Sequence, residues 1–237
     1  RAVCYLTYTN EGMPIGAFWG YKTDGLIQTQ EQLNAVKRAD FQPNAELGDV
    51  LFVDTNGDGK LDSSDRCMIG NPIPDIIYGI NMGMAWKGFD LNLQFGGTIG
   101  NQIFNAMRYY TYFPNDITNK DRALMNYWTP NNTNTDIPRL TATDVNDNDR
   151  FSDMYVENGT YFRLRNAQLG YTLPASLTQR IKLQKVRFYV SGQNLFTISS
   201  YSGMDPEVGQ SSSLSRGIDY GIYPQNISFT GGINVTF

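Results

Sequence analysis

From Ile227 to the last residue, apolar or Gly positions alternate with polar ones. Ile227, Phe229, Gly231, Ile233, Val235 and Phe237 interleave with Asn226, Ser228, Thr230, Gly232, Asn234 and Thr236. A period of two predicts a β-strand with one apolar and one polar face. The same rule governs Phe89, Leu91, Leu93, Phe95 and Ile99, set between Asp90, Asn92, Gln94 and Thr98. It returns at Ile76, Tyr78, Ile80, Met82, Met84 and Trp86, at Val186, Phe188, Val190 and Phe196, and at Ala167, Leu169, Tyr171 and Leu173. In the last run Arg163 and Arg165 fall on the apolar side, so that strand must either project past its apolar band or bulge there. Two weaker runs, near residues 2–9 and 15–22, bring the expected strands to about seven.

Alternation suits a soluble sandwich as well as a membrane barrel, because each hides one face. Run length separates them. Globular strands average about five or six residues, about ten tilted residues cross a bilayer, and these runs extend over about 11–14. Tight or modest turns at Lys87-Gly88 and 174–183 alternate with long connections at 23–75, 100–159 and 199–224, the layout of outer-membrane barrels. Aromatic residues gather near strand ends, as interface girdles do: Trp86 with Phe89, Tyr161 with Phe162, Tyr171, and Phe196 with Tyr201. The expected fold is all-β: a transmembrane antiparallel β-barrel segment, with the three long connections as extracellular loops and a periplasmic C-terminus. Seven strands are odd in number and too few to close such a barrel. Residues 1–237 are therefore expected to be the C-terminal portion of a larger one, with polar Asn92, Gln94, Gln193 and Asn234 on the lumen side.

Composition narrows the chemistry. The 237 residues include no histidine, which removes Ser-His-Asp triads, Cys-His dyads and His-ligated zinc together. Nineteen Lys+Arg against 23 Asp+Glu give a net charge of −4, so no electrostatic footprint for nucleic acid is present. Aromatics at 13% with 23 Gly and only 18% charged residues describe an ordered β-protein. No window approaches the roughly 18–20 apolar residues of a membrane helix. The chain opens at Arg1 with neither Met nor leader and reads as processed or partial. Cys4 and Cys67 lack a C-x-x-C spacing; a disulfide and two separate thiols both stay open.

One stretch carries ligand chemistry. Residues 54–65 read Asp-Thr-Asn-Gly-Asp-Gly-Lys-Leu-Asp-Ser-Ser-Asp. On the calcium-loop pattern Asp54, Asn56 and Asp58 fill positions one, three and five, Gly59 the sharp turn, and Lys60 offers its carbonyl. Asp62 takes position nine, and Asp65 stands where Glu is usual. A structural Ca²⁺ clamp inside the 23–75 loop is the expectation. Aromatic Tyr109, Tyr110, Tyr112 and Trp128 are candidates for contact with a substrate or partner, against loop packing as the plainer role. Thr29 to Gln32 forms a capping box ahead of Leu33 and Val36, and a second short helix is expected near Lys120–Tyr127.

Glu11-Gly12-Met13-Pro14-Ile15-Gly16-Ala17-Phe18-Trp19-Gly20-Tyr21 with Asp24-Gly25 resembles a segment of the SusC/RagA-type TonB-linked outer-membrane proteins. Gly48-Asp49, Ile69 to Asp75, Lys87 to Leu91, Trp128-Thr129-Pro130, Pro138-Arg139, Tyr161 to Asn166, Leu169 to Pro174, Ser191 to Phe196 and Gly203 to Glu207 continue it in order. The resemblance implies a barrel of about 22 strands around an N-terminal plug. It further implies energy from the TonB complex through parts outside this chain, and a SusD/RagB-like surface lipoprotein as partner. The cargo it implies is oligosaccharide or, in the RagA branch, oligopeptide, imported across the outer membrane without bond breaking. The rivals are a calcium-dependent extracellular adhesion module and an enzyme of glycosidase type, for which two external carboxyls about 5–9.5 Å apart would be needed.

Overall fold

The computed structural model describes residues 6–113, 119–209 and 212–237. In chain order its elements are β1 (Thr7–Tyr8), β2 (Ala17–Gly20), β3 (Thr23–Leu26), helix α1 (Gln30–Arg38), β4 (Val50–Phe52), β5 (Cys67–Gly70), β6 (Ile76–Trp86), β7 (Phe89–Ile99) and β8 (Gln102–Asn105). Then come helix α2 (Ala106–Thr111), β9 (Val156–Asn158), β10 (Tyr161–Thr172), helix α3 (Ala175–Thr178), β11 (Lys185–Ser199), β12 (Ile218–Asp219) and β13 (Ser228–Thr236). They divide into two compact units, one of residues 1–73, 102–157 and 208–222, the other of residues 74–101, 158–207 and 223–237.

The second unit is an antiparallel meander of the five long strands, in the order β13-β11-β10-β7-β6. Its tightest turn, Lys87-Gly88, has positive φ at both residues (45° and 89°). That handedness matches the twist of the flanking strands, and it sets Trp86 directly opposite Phe89. Of the two alternatives posed by Arg163 and Arg165, the strand bulges: Leu164 pairs with Phe95 and Asn166 with Gln94, which leaves Arg165 unpaired in the ladder to β7. A second irregularity follows on β11, where Leu164 pairs with Phe196 but Asn166 with Gln193. Asn194 sits there at φ 53°, a left-handed conformation that Asn tolerates.

Five strands stand in this sheet, not the seven expected. The runs near 2–9 and 15–22 contribute only β1 and β2 to a separate three-stranded sheet, β1-β2-β5; residues 2–5 lie outside the described residues. The reason is burial on both faces. Neighbouring Ala17 and Phe18 are both fully buried, which a strand with one lipid face cannot achieve.

The first unit is a folded body built largely from stretches expected to be long loops with short helices in them. Helix α1 begins with the expected capping box: Gln32 N–H donates to Thr29 Oγ1, and Gln32 Oε1 accepts from Thr29 N–H. The second expected helix is a 3-10 turn at Arg122–Asn126. One core gathers Leu6, Phe18, Ile69, Phe104, Tyr109, Phe113, Tyr155 and Ile218, and another Leu26, Phe41, Val50, Phe52 and Trp128. A buried polar chain joins residues 42–52 to 139–148. Gln42 Nε2–H donates to Asn146 Oδ1, Asn146 Nδ2–H to Asn148 Oδ1, and Asn148 Nδ2–H to Asp49 Oδ1. Arg139 Nε–H closes it on Asp49 at 2.6 Å.

Gly48 explains why Trp128 belongs here. Its φ is 86°, and a Cβ placed on it would lie 2.2 Å from the indole, while Trp128 Nε1–H donates to Gln28 Oε1 at 3.0 Å. Gly48→Ala therefore adds left-handed strain to a clash, together about 2–4 kcal/mol. Limited proteolysis of the full-length protein checks this. The variant is expected to expose residues 42–52 and 139–148 to cleavage where the parent resists.

Candidate functional site

Cross-strand partners in an antiparallel ladder point to the same face, so register assigns every side chain of the long sheet. One face carries Ile76, Tyr78, Ile80, Met82, Met84 and Trp86 of β6 beside Phe89, Leu91, Leu93, Phe95 and Ile99 of β7. Phe162, Leu164, Ala167, Leu169 and Tyr171 of β10 continue it, then Val186, Phe188, Val190, Phe196 and Ile198 of β11. Phe229, Ile233 and Val235 of β13 end it. This face is open: Met84 is 66% exposed, Trp86 65% and Phe229 74%. Across it run two aromatic bands. Tyr78, Phe95, Phe162 and Phe196 form one, with Phe95 and Phe162 stacked at 5.2 Å. Trp86, Phe89 and Tyr171 lie at the short-turn end, with Phe89 and Tyr171 at 4.5 Å. Eleven residues at about 3.3 Å, tilted by about 40°, give an apolar height near the roughly 25 Å of an outer-membrane barrel.

The opposite face is polar and carries an ion pair within the sheet. Arg187 of β11 grips Asp90 of β7 through Nε (2.9 Å) and Nη2 (2.5 Å), reaching over β10. Gly170 makes the crossing possible: a Cβ there would stand 2.4 Å from the guanidinium and 2.5 Å from the carboxylate.

The bulge at Arg165 reverses the parity of β10, so Phe162 and Leu164 join the apolar face and Arg163 leaves it. Arg163 is 2% exposed. Its Nη2–H donates to Asp205 (2.6 Å), its Nη1–H to Glu207 (2.9 Å) and its Nε–H to Thr197 Oγ1 (2.8 Å). Arg165 Nη2–H donates to Glu207 and to Tyr161 Oη. Asp205 also accepts the backbone N–H groups of Glu207 and Gln225. Burial pushes the Asp205 carboxyl up, but these two N–H groups and the Arg163 guanidinium outweigh it and hold the carboxyl below its usual range. Sequence reasoning flagged Arg163 and Arg165 but not their partners. The one available signal was the acidic pair in Gly203 to Glu207.

Residues 54–65 form a self-bonded turn in the first unit. Asp54 accepts from the N–H groups of Gly57 and Gly59, Asn56 Oδ1 from Asp58, Asp58 from Lys60, and Asp62 from Ser64. Gly59 has φ 77° at the sharp-turn position. The Gly59 N–H holds the Asp54 carboxyl below its usual range, and the Ser64 hydroxyl does so for Asp62. Asp65 is fully buried, its oxygens taking the N–H groups of Thr55 and Asp62. Among the described residues, no three His, Cys, Asp or Glu side chains converge on one point. Each carboxylate oxygen that accepts one N–H still keeps a lone pair, so the donor types suit a hard cation.

The aromatic candidates divide. Tyr109 and Trp128 are core residues, 7% and 6% exposed, so they support the loops rather than meet a ligand. Tyr110 and Tyr112 are half-buried, Tyr110 edge-on to Tyr109 at 5.2 Å and Tyr112 beneath the Arg108 guanidinium. Cys67 is a free, half-buried thiol whose pKa burial raises; Cys4 lies outside the described residues.

No family model matches the chain. It is 39% identical over 237 residues to TonB-dependent receptor P3 of Formosa agariphila, covering 96% of this chain and 22% of that one. To the TonB-dependent receptor SusC of Bacteroides thetaiotaomicron it is 29% identical over 198 residues, 83% of this chain and 18% of that one. The solved RagAB peptide transporter superposes with a TM-score of 0.74 at 25% identity, over 98% of this chain and 24% of that one. The chain thus spans under a quarter of the length of these relatives.

Arg163→Met removes one partner of a buried ion pair and leaves Asp205 uncompensated, a loss of about 3–5 kcal/mol. Hydrogen exchange is expected to rise in residues 200–209. In the parent, a carboxyl held low contributes stability that is present above its ordinary range and lost as pH falls through the folded value. Protection of 200–209 is therefore expected to persist to about pH 4 and to decay below it.

Proposed function

The chain belongs to the SusC/RagA family of TonB-dependent receptors, and on that premise we propose that it is the C-terminal part of the wall of an outer-membrane nutrient importer. The observation that carries this reading is the open apolar face of the five-stranded sheet, bounded by aromatic bands and backed by a polar face. A contiguous apolar surface of that extent is a liability in water, whereas lipid accepts it once every strand finds its neighbours. The five strands cross the bilayer. The long connections 23–75, 100–159 and 199–224 are extracellular in this reading, and the short turns face the periplasm.

The full receptor takes up oligosaccharides or oligopeptides beside a SusD-like surface lipoprotein, energised by the TonB complex through its N-terminal part. The peptide arm draws support from the similar RagAB, which is described as a peptide transporter. No bond is broken in transport; the Arg187–Asp90 pair contributes a fixed, locally neutral patch to the inner wall. Residues 54–65 carry a second, structural role. Asp54, Asn56, Asp58, the Lys60 carbonyl, Asp62 and Asp65 would hold Ca²⁺, which supplies a central charge to stiffen the turn. The spacing and the left-handed Gly59 support it.

Two measurements test these readings. Met82→Arg, in mid-strand on the apolar face, is expected to weaken folding of the full receptor into vesicles by about 2–4 kcal/mol. Asn92→Ser, on the polar face, is expected to change it little; equal effects of the two would sink the lipid assignment. Calorimetry of the detergent-solubilised receptor is expected to lose one Ca²⁺ in Asp54→Ala/Asp58→Ala, and identical heats in parent and variant overturn the site.

A further inference from the structure

The chain is acidic as a whole, yet the charged side chains at the short-turn end of the long sheet are of one sign. The β6–β7 turn presents Lys87, the β10–β11 connection presents Arg180 and Lys182, and Lys185 opens β11 on the polar-face side of the same rim, opposite Thr236. No Asp or Glu occurs from residue 173 to residue 189. The nearest carboxylate inward from this end, Asp90, is already gripped by Arg187. All four cationic residues are exposed. At the other end of the same unit the picture differs, with Asp75, Asp205 and Glu207 set against Arg163 and Arg165.

Backbone bonds place the four on one rim. Thr172 N–H donates to the Gly88 carbonyl, Leu173 N–H to Val186 and Gln184 N–H to Thr236, so the turn, the connection and the end of β13 lie level. Lys87 and Lys185 are separated by two strands, about 10–15 Å at the usual spacing. The Lys87 ammonium lies 4.9 Å from the Trp86 ring centroid. Immediately inside the rim is the aromatic band of Trp86, Phe89 and Tyr171 on the apolar face.

Exposed cations about 10–15 Å apart are largely screened from one another by salt; what the rim offers is a local excess of positive charge that an anionic surface can meet. A glycerophospholipid with a net negative headgroup meets both features: acyl chains against the aromatic band and a phosphate at the level of the lysines. We infer that this rim binds the headgroups of anionic glycerophospholipids in the leaflet that the short turns face. The inference rests on the membrane-wall reading, because in a water-soluble sheet the same cations would meet only solvent.

The test uses the full receptor in nanodiscs of phosphatidylcholine, with and without phosphatidylglycerol, and counts retained lipid by native mass spectrometry after detergent extraction. The rim variant is Lys87→Asn/Arg180→Gln/Lys182→Asn/Lys185→Gln; Asn suits positions 87 and 182, whose φ values are 45° and 57°. The control is Lys22→Gln/Lys37→Gln/Arg38→Gln/Arg122→Gln, exposed cations of the first unit. The parent and the control are expected to retain phosphatidylglycerol over phosphatidylcholine, with about a fivefold loss for each rim cation removed and further loss as salt rises. Equal retention by rim variant and parent, equal loss in the control, or retention of phosphatidylcholine to the same degree overturns the inference. If the rim variant fails to fold, Lys87→Asn and Lys182→Asn singly, with the salt dependence of the parent, decide in the same terms. Displacement of the lipid by inorganic phosphate at equal concentration also overturns it, since a free anion would then suffice. Insertion into phosphatidylcholine alone reports on the wall reading separately; a receptor that inserts but shows no preference for phosphatidylglycerol sinks only the lipid site.

Discussion

Keeping charge off one face of a five-stranded ribbon is the constraint on which the rest of this structure depends. Side chains alternate along a strand, so a single residue out of step moves a whole run to the wrong side. Tyr161 to Arg165 pose that problem directly, because uninterrupted alternation would put Arg163 among Leu169 and Tyr171. The unpaired Arg165 solves it by inserting one residue against β7. Phe162 then stacks on Phe95, and Arg163 turns to Asp205, Glu207 and Thr197. One backbone irregularity thus serves two ends: it completes an aromatic band and supplies the cation that anchors residues 205–207. The arrangement is costly to break because the guanidinium is desolvated. Its value lies in specifying where that segment goes more than in net stability.

The same economy of charge shapes the first unit by other means. Its stretches alternate poorly and carry many Asn, Asp and Gly residues, a composition that suggests open loops. They fold because Gln42, Asn146, Asn148 and Asp49 satisfy one another in a buried chain closed by Arg139. Aromatic side chains fill the space on either side. A polar network of this kind is stabilising only when complete, so the body behaves as a unit.

Much of the sheet was legible in the sequence, because period two over 11 or more residues is the strongest local signal a β-protein offers. The bulge was legible as a dilemma at Arg163 and Arg165, and the capping box at Thr29 as a spacing. What could not be read was long-range. Arg163 meets carboxylates 42 and 44 residues away, and no local pattern encodes that partnership. The runs near 2–9 and 15–22 misled for a related reason: four residues buried among neighbours resemble a fragment of a longer alternating strand. Between ligand contact and loop packing, Tyr109 and Trp128 could not be assigned locally, because the bodies that bury them come from distant segments. In residues 54–65 the turn chemistry was legible at Gly59.

Alternation excludes odd slips of register but not even ones, since a shift by two residues restores both faces. The strand glycines supply the missing discrimination. Gly97 lies opposite Tyr78, whose hydroxyl crosses it to the Tyr161 carbonyl at 3.0 Å; a Cβ there would meet that carbonyl oxygen at 2.0 Å. Gly170 lies opposite Asp90 beneath the bond to Arg187. Gly232 lies opposite Tyr189, whose ring would meet a Cβ at 2.5–2.6 Å. Shift β10 by two against β7 and Gln168 or Thr172 replaces Gly170; shift β13 against β11 and Thr230 or Asn234 replaces Gly232. Each alternative drives a side chain into a ring, a carbonyl or an ion pair. Glycine weakens a strand locally, and here that weakness is the means by which long side chains cross their neighbours at one register only. Parity chooses the face, the slots choose the alignment, and an extended apolar surface can then be built without ambiguity about which strand meets which.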